Sequence, residues 1–158
     1  MTKRPGWDEY FMKQTALVAE RSTCIRHHVG ALFVRDKRVL VTGYNGANSN
    51  TKDCLELGCL RDELGIPSGE KHEICRAVHA EQNGIIQAAR DGISIKNSKV
   101  YCTLPPCSIC AKMLGNLDIE EFITYGQYPD EIAKEYLKNT DIKLRFIKKP
   151  SEIITFKD

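Results

Sequence analysis

Short apolar runs alternate with helical patterns through the second half of the sequence, and this alternation restricts the fold more than any other feature. We predict in turn a helix from about Ile74 to Asp91, a strand "KVYCTL", a helix starting near Pro106, a strand "EEFITYG", a helix "PDEIAKEYLKN" and a strand "IKLRFI". Strand, helix, strand order with short links favours parallel strands joined by right-handed crossovers. The second half is therefore predicted to be a parallel α/β unit.

The first half supplies a helix and a hairpin. Apolar residues recur at helical spacing from Trp7 to Glu20, and the runs "VGALFV" and "RVLVTGY" flank the polar turn "RDKR". Together the two halves predict a mixed sheet flanked by helices. The 158 residues fit one ordinary domain, so we predict a single domain over 1–158 with a polar loop insertion at about 46–75.

Charge and composition exclude several classes of protein. Lys and Arg exceed Asp and Glu by only two, and the basic residues are scattered among acidic ones, unlike the basic surface of a protein that binds long nucleic acid. No apolar run approaches the roughly 20 residues that span a bilayer, and the first residues do not form a secretion signal. We expect a cytoplasmic protein without membrane contact, whose seven cysteines are metal ligands, catalytic groups or buried thiols rather than disulfides.

Two motifs carry chemistry. "RAVHAEQNGI" places His79 and Glu81 near a helix start, and "LPPCSICAKML" places Cys107 and Cys110 at another. Two thiolates at a helix N-terminus bind a soft cation well, although the same spacing also suits a redox dithiol. With His79 they make three ligands, and a catalytic zinc keeps its fourth position open. Glu81 is predicted to lie beside that position and to carry protons.

His-x-Glu followed by Pro-Cys-x-x-Cys is the signature of zinc nucleobase deaminases. Beyond it, the chain resembles the deoxycytidylate (dCMP) deaminases, in particular the microbial branch of the zinc-dependent cytidine/deoxycytidylate deaminase family, in "WDEYFM", "RSTC", "VGAL", "GYNG", "HAEQN", "AAR" and "PPCSICAK". The resemblance implies a cytidine-deaminase-like three-layer α/β/α sandwich whose five-stranded mixed sheet has its last two strands parallel. It also implies a homo-hexamer and, in many members, activation by dCTP and inhibition by dTTP.

The implied reaction is hydrolysis of dCMP to dUMP and ammonia, which supplies dUMP for dTMP synthesis. The resemblance assigns Asn45 of "GYNG" to the sugar, although Asn-Gly also favours a plain turn. Ala80 is the small residue that lets the helix start approach the pocket. Ser22 and Arg26 are candidates for the phosphate and Arg90 for an interface or effector contact, and each could equally be a solvated surface residue. The resemblance also offers Gly43, Tyr44 and Gly46 as candidates for an effector site.

A second, structural zinc is predicted in the long polar loop. Cys54 and Cys59 are separated by four residues, and His72 and Cys75 by two, which are separations that zinc ligands commonly show. Cys24 is a rival, because some members of the family bind a second zinc through cysteines resembling Cys24 and Cys54. Five candidates compete for four places, and the alternative is that some are buried thiols.

Smaller expectations and two rival functions complete the sequence reading. Cys102 is expected to be a core thiol, and His27 and His28 to be surface residues. Gly84 replaces an alanine common in the family, and Pro105 stands where the family often has a bulky residue. One rival is a tRNA adenosine deaminase, against which the near-neutral charge and "GYNG" count. The other is a non-catalytic, zinc-stabilised competence accessory protein, against which Glu81 counts.

Overall fold

A computed structural model describes residues 4–127 and 130–151. In chain order the elements are α1 (Trp7–Ala19), β1 (Gly30–Arg35), β2 (Arg38–Tyr44), β3 (Gly46–Ala47), α2 (Cys54–Leu57), α3 (Leu60–Glu63), a 3-10 turn (His72–Ile74), β4 (Ala77–Val78), α4 (Ala80–Asp91), β5 (Lys99–Cys102), α5 (Ser108–Leu114), β6 (Glu121–Thr124), α6 (Glu131–Lys138) and β7 (Lys143–Phe146). No helix in these ranges is both long and apolar enough to cross a membrane.

The main sheet has five strands in the order β2-β1-β5-β6-β7. β1 is antiparallel to β2 and to β5, whereas β5, β6 and β7 run parallel to one another. This arrangement confirms the mixed sheet with its last two strands parallel. The predicted hairpin is confirmed too, with a register shift between Phe33 and Val34.

Alternating strand residues bury their side chains on opposite faces of the sheet, as the period of two requires. On one face, Phe33, Val100 and Phe122 belong to a core that residues of α4, α5 and α6 complete. On the other face, Leu32, Tyr101 and Ile123 lie in a smaller cluster with Phe11 and Met12 of α1. The result is the predicted three-layer α/β/α sandwich.

The helix predicted from Ile74 begins six residues later, at Ala80, so this boundary was wrong. Ala77 and Val78 pair instead with Gly46 and Ala47 in a small antiparallel sheet. This ladder satisfies their backbone polar groups, and it depends on a distant segment that no local pattern reveals. His79 is extended (φ −70°, ψ 158°) and stands at the N-cap of α4.

The long loop contains two short helices, α2 and α3. The Asp53 side chain caps α2 by accepting hydrogen bonds from the backbone N–H groups of Leu55 and Glu56. Arg61 of α3 is buried and donates to the carbonyl oxygen of Pro67 at 2.9 Å. Pro129, in the predicted "PDEIAKEYLKN", lies outside the described residues, and the described part of that helix starts at Glu131.

Gly84 lies where α4 crosses the sheet, directly over Phe33. A Cβ atom added at Gly84 would lie 2.5 Å from Cε2 of the Phe33 ring, which is fully buried. The neighbouring strand also approaches closely, since a Cβ at Gly43 would lie 2.1 Å from the carbonyl oxygen of Ala80. Both glycines permit contact between α4 and the sheet at backbone distance.

Gly84→Ala is expected to destabilise the fold by about 1–2 kcal/mol, because overpacking costs about 1–3 kcal/mol and alanine recovers at most about 1 kcal/mol of helix propensity. Urea unfolding measures this difference. In the double variant with Phe33→Leu, the loss should be at least about 1 kcal/mol smaller than the sum of the two single losses. Additive losses would contradict the proposed contact.

An ion-pair network joins the start of α1 to the far edge of the sheet. The Asp8 carboxylate accepts a hydrogen bond from the Tyr101 hydroxyl at 2.8 Å and from the Arg145 guanidinium, which also donates to Glu121 at 3.0 Å. The hydrogen bond from Arg145, aided by that from Tyr101 and opposed by burial, lowers the pKa of Asp8 below its usual value. The network therefore stabilises the fold only while Asp8 is ionised.

Asp8→Asn is expected to lower the free energy of unfolding by about 1 kcal/mol at pH 7, a value limited by the solvent exposure of the pair. Because the folded pKa lies below the unfolded one, Asp8 stabilises the wild type above pH 4 and loses this effect as the pH falls through its folded pKa. Urea unfolding of both proteins at pH 7 and at pH 3 should show the difference shrinking in acid. A constant difference would exclude the charge as its cause.

Candidate metal centre and active site

Two helix starts meet at one edge of the sheet. His79 is the N-cap of α4, which packs over β1 and β2, and Cys107 is the N-cap of α5, which follows the neighbouring strand β5. The imidazole Nδ1 of His79 lies 3.3 Å from Sγ of Cys107 and 3.6 Å from Sγ of Cys110. Three side chains that can ligate a metal thus point at one another.

These separations fit a tetrahedral zinc site. Zinc bonds of about 2.05 Å to nitrogen and about 2.3 Å to sulfur, at a tetrahedral angle, place the two ligand atoms about 3.6 Å apart. The described side chains already have this spacing, and two sulfurs with one imidazole are the donor set that zinc prefers. Gln82 fixes the backbone of His79, because its Oε1 accepts a hydrogen bond from the His79 N–H at 2.9 Å.

The charges of the cluster also suit a cation. A hydrogen bond from Cys110, together with one from His79, lowers the pKa of the Cys107 thiol to about 4, and the same bond raises the pKa of Cys110. Burial alone would lower the pKa of His79, but hydrogen bonds to Cys107 and Cys75 and the charge of Glu81 raise it to about 10. The cluster thus pairs a buried Cys107 thiolate with a proton on His79, and a metal ion can take the place of that proton.

Glu81 is a buried carboxylic acid in the first turn of α4. It is 4% exposed, and burial raises its pKa to about 7 despite the opposing charge of His79. A carboxyl group with such a pKa can take up and release a proton at neutral pH. It lies beside the three candidate ligands and lines a cavity that opens over them.

An open cavity lies over the cluster, with about 570 Å³ of empty space when the solvent at its mouth is included. The sequence candidates that line it are Cys24, Arg26, Asn45, His72, Cys75, His79, Ala80, Glu81 and Cys107. Leu104 and Pro105 provide part of its wall, so the departure at Pro105 does fall at the pocket.

Asn45 closes one side of this cavity with three hydrogen bonds. Its Oδ1 accepts from the Ser22 hydroxyl at 2.6 Å and from the Val29 N–H at 2.9 Å, and its Nδ2 donates to the carbonyl oxygen of His27 at 2.8 Å. One amide N–H remains for a ligand. Ser22 is buried, and its oxygen also accepts the backbone N–H of Cys24, so the structure places Ser22 behind Asn45.

Two arginines line the cavity, and each has one buried guanidinium nitrogen without a hydrogen-bond partner among the described residues. Arg26 donates to Asp62 at 2.7 Å and to the carbonyl oxygen of Ile66 at 2.6 Å, while its buried Nη1 has no hydrogen-bond partner among the described residues. Arg61 likewise has an unpartnered, buried Nε in the described part of the chain. Sequence reasoning missed Arg61, since an arginine in a polar loop carries no local signal of burial.

The five candidates for a second metal adjoin the first site, because His72 lies within it and Cys75 forms a hydrogen bond with His79. His72 lies at the first site, where its ring nitrogen and the ligand atoms of His79 and Cys107 all fall within 4.8 Å of one another. Its ring stands at 87° to that of His79, with centroids 5.3 Å apart. The other four are cysteines: burial, and then the nearby charges of Cys24, Cys59 and Cys75, raise the pKa of Cys54.

The remaining candidates lie outside the cavity wall. Gly43 faces the first turn of α4, the carbonyl oxygen of Tyr44 accepts from Asn83 at 2.9 Å, and Gly46 belongs to β3. Arg90 is exposed at the end of α4. As expected, Cys102 is fully buried and His27 and His28 are exposed.

The model of the cytidine and deoxycytidylate deaminase zinc-binding region matches residues 5–126, and the chain belongs to this family. The deoxycytidylate deaminase of Schizosaccharomyces pombe is 35% identical over 143 residues, which cover 90% of this chain. The chain spans only 44% of that relative's length. ComE operon protein 2 of Bacillus subtilis is 31% identical over 157 residues, covering 99% of this chain and 79% of that protein.

A solved structure shares both the fold and the extent of the chain. The dCMP deaminase of cyanophage S-TIM5, crystallised in complex with dCMP and dUMP, has a TM-score of 0.77 and 27% sequence identity. The match covers 92% of this chain and 100% of that one. The predicted resemblance to the deoxycytidylate deaminases and the predicted fold class are therefore confirmed.

Proposed function

We propose that this protein is a zinc-dependent deaminase that hydrolyses dCMP to dUMP and ammonia. The observation that carries the proposal is the convergence of His79, Cys107 and Cys110 at tetrahedral zinc spacing beside the buried acid Glu81. The names of the yeast and cyanophage relatives support dCMP as the substrate.

Zinc, when bound, lowers the pKa of a coordinated water to about 7 and so supplies hydroxide at neutral pH. His79, Cys107 and Cys110 would hold the metal at the floor of the cavity. Glu81, with its raised pKa, takes the water proton and passes it to N3 of the cytosine ring as oxygen adds to C4. It then helps protonate the amine, which leaves as ammonia.

The cavity wall offers partners for the rest of a nucleotide. The remaining amide N–H of Asn45 can donate to the sugar, in line with its predicted role. The guanidinium groups of Arg26 and Arg61, two residues that line the cavity, are suitable donors to a 5′-phosphate, which binds guanidinium groups strongly. Ser22 acts on the substrate only through Asn45.

Regulation and assembly remain part of the proposal. We expect activation by dCTP and inhibition by dTTP, with Gly43, Tyr44 and Gly46 as effector candidates and Arg90 as an interface candidate. A homo-hexamer follows from the same family resemblance, and we expect a cytoplasmic location from the sequence pattern. Free thiols at all seven cysteines suit such a reducing compartment.

Glu81→Gln tests the proposed mechanism. The variant should keep zinc and lose at least about 1,000-fold in kcat on dCMP, because the amide cannot carry the proton. Ammonia release and metal content are measured on the same preparation, with dCTP, deoxycytidine and an RNA hairpin as parallel substrates. His79→Ala serves as the control that loses the metal as well as the activity.

Three other outcomes would each contradict a different part of the proposal. Ammonia released only from the RNA hairpin would show a tRNA adenosine deaminase-like enzyme. A zinc-loaded wild type that releases no ammonia from any substrate would favour the non-catalytic accessory role. A zinc-loaded, active Glu81→Gln protein would remove Glu81 from the mechanism.

We also propose a second, structural zinc bound by four cysteines. Cys24, Cys54, Cys59 and Cys75 are the set of four that we favour, because, after burial, the nearby Cys24, Cys59 and Cys75 raise the pKa of Cys54. Zinc with four thiolates carries a net charge of minus two. The charges of Cys59 and Cys75 act on Arg26, and the guanidinium of Arg61 contacts Sγ of Cys75 at 3.7 Å, so cationic groups lie where this site needs them.

Cys59→Ser is expected to reduce the zinc content from two ions per chain to one and to lower the thermal stability of the protein. Cys102→Ser is the matched control, since Cys102 is a buried strand thiol outside both sets of candidate ligands. Metal analysis of freshly purified, unstripped proteins makes the measurement. One zinc per chain in the wild type would exclude the second site.

A further inference from the structure

Helix α5 begins with a residue that cannot cap it. The N-cap position favours Ser, Thr, Asp or Asn, whose side-chain oxygen accepts a backbone N–H of the first turn. In α5 this position is Cys107, whose Sγ points instead at His79 and makes no side-chain cap. A cap for the α5 N–H groups must come from elsewhere.

Asp130 supplies that cap from another helix. Its Oδ2 accepts the backbone N–H of Ser108, the first residue of α5, at 2.8 Å. Its Oδ1 accepts the N–H of Ala133 at 2.9 Å and so caps its own helix, α6. Asp130 is only 9% exposed. One of its carboxylate oxygens caps α5 and the other caps α6.

The bond to Ser108 acts on the residue next to Cys107. Pro105 and Pro106 precede Cys107, and both line a small apolar cleft that Asp130 also lines. Cys107 is thus held on one side by stiff proline backbone and on the other by the Asp130 carboxylate. A negative charge is also favourable here, because it faces the positive end of the α5 dipole.

We propose that Asp130 is a positioning residue that fixes Cys107 for metal binding by capping α5 in its place. It touches neither metal nor substrate. This inference rests on the proposed zinc site, where outer hydrogen-bond partners of the ligands typically change metal affinity by about 10–100-fold. The sequence separation of 23 residues between Cys107 and Asp130 conceals this role from any local motif.

Asp130→Asn tests the inference on the full-length, zinc-loaded protein. Asparagine keeps one oxygen acceptor and turns an amide N–H₂ towards the other donor, so one cap is lost without a change of shape. We expect zinc to leave the first site at least about 10-fold faster in competition with a chromophoric chelator. Zinc of the first site is the portion that His79→Ala protein lacks.

Ala133→Gly is the matched control, because it weakens α6 and leaves the bond from Ser108 to Asp130 intact. Ser108→Pro is the second variant: it removes the donated N–H from the α5 side, at a helix position where proline is tolerated. Cys107 is already extended (φ −74°, ψ 170°), as the residue before proline prefers. We expect faster zinc release in Ser108→Pro as in Asp130→Asn, and release at the wild-type rate in Ala133→Gly.

The results separate this inference from the proposed function. Wild-type protein that holds no more zinc than His79→Ala would contradict the metal centre itself. With zinc present, release at the wild-type rate in Ser108→Pro, which removes the N–H that Asp130 accepts, would overturn the role of Asp130. Equally fast release from Ala133→Gly, at matched urea stability, would show that Asp130 acts only through the stability of α6.

Discussion

The site depends on two helices, α4 and α5, that begin close together at one end of the paired strands β1 and β5. Because these strands are hydrogen-bonded neighbours, the helices that pack on or follow them begin a few ångströms apart. Gly43 and Gly84 let α4 lie against the sheet at backbone distance, which brings His79 level with Cys107. A larger residue at either glycine would move one ligand relative to the other.

The two proposed ligands at these helix starts both stand at N-cap positions, and their side chains lie close to each other. At the start of α4, Gln82 accepts the backbone N–H of His79 in a capping box. At the start of α5, Cys107 makes no side-chain cap, and Asp130 accepts the N–H of Ser108. The proposed metal ligands are thus supported by residues that are not themselves proposed as ligands.

The polar loop contributes the wall of the cavity and the thiols of the proposed second site. It brings Arg61 and His72 next to the catalytic cluster, although neither belongs to a recognisable motif. Arg61 is buried there, with its guanidinium hydrogen-bonded to the carbonyl oxygen of Pro67 and close to Sγ of Cys75.

The sequence by itself determined the element order, the mixed sheet and the family, because hydrophobic period and the spacing of His79, Glu81 and the two cysteines are local properties. The start of α4, the place of His72 and the cap from Asp130 were decided only by the tertiary structure. Each of these depends on a partner distant in the chain: Gly46 and Ala47 for the residues before His79, and α5 for Asp130. Backbone hydrogen bonds between distant segments leave no periodic trace in a sequence, and for this reason they appear only once the chain is folded.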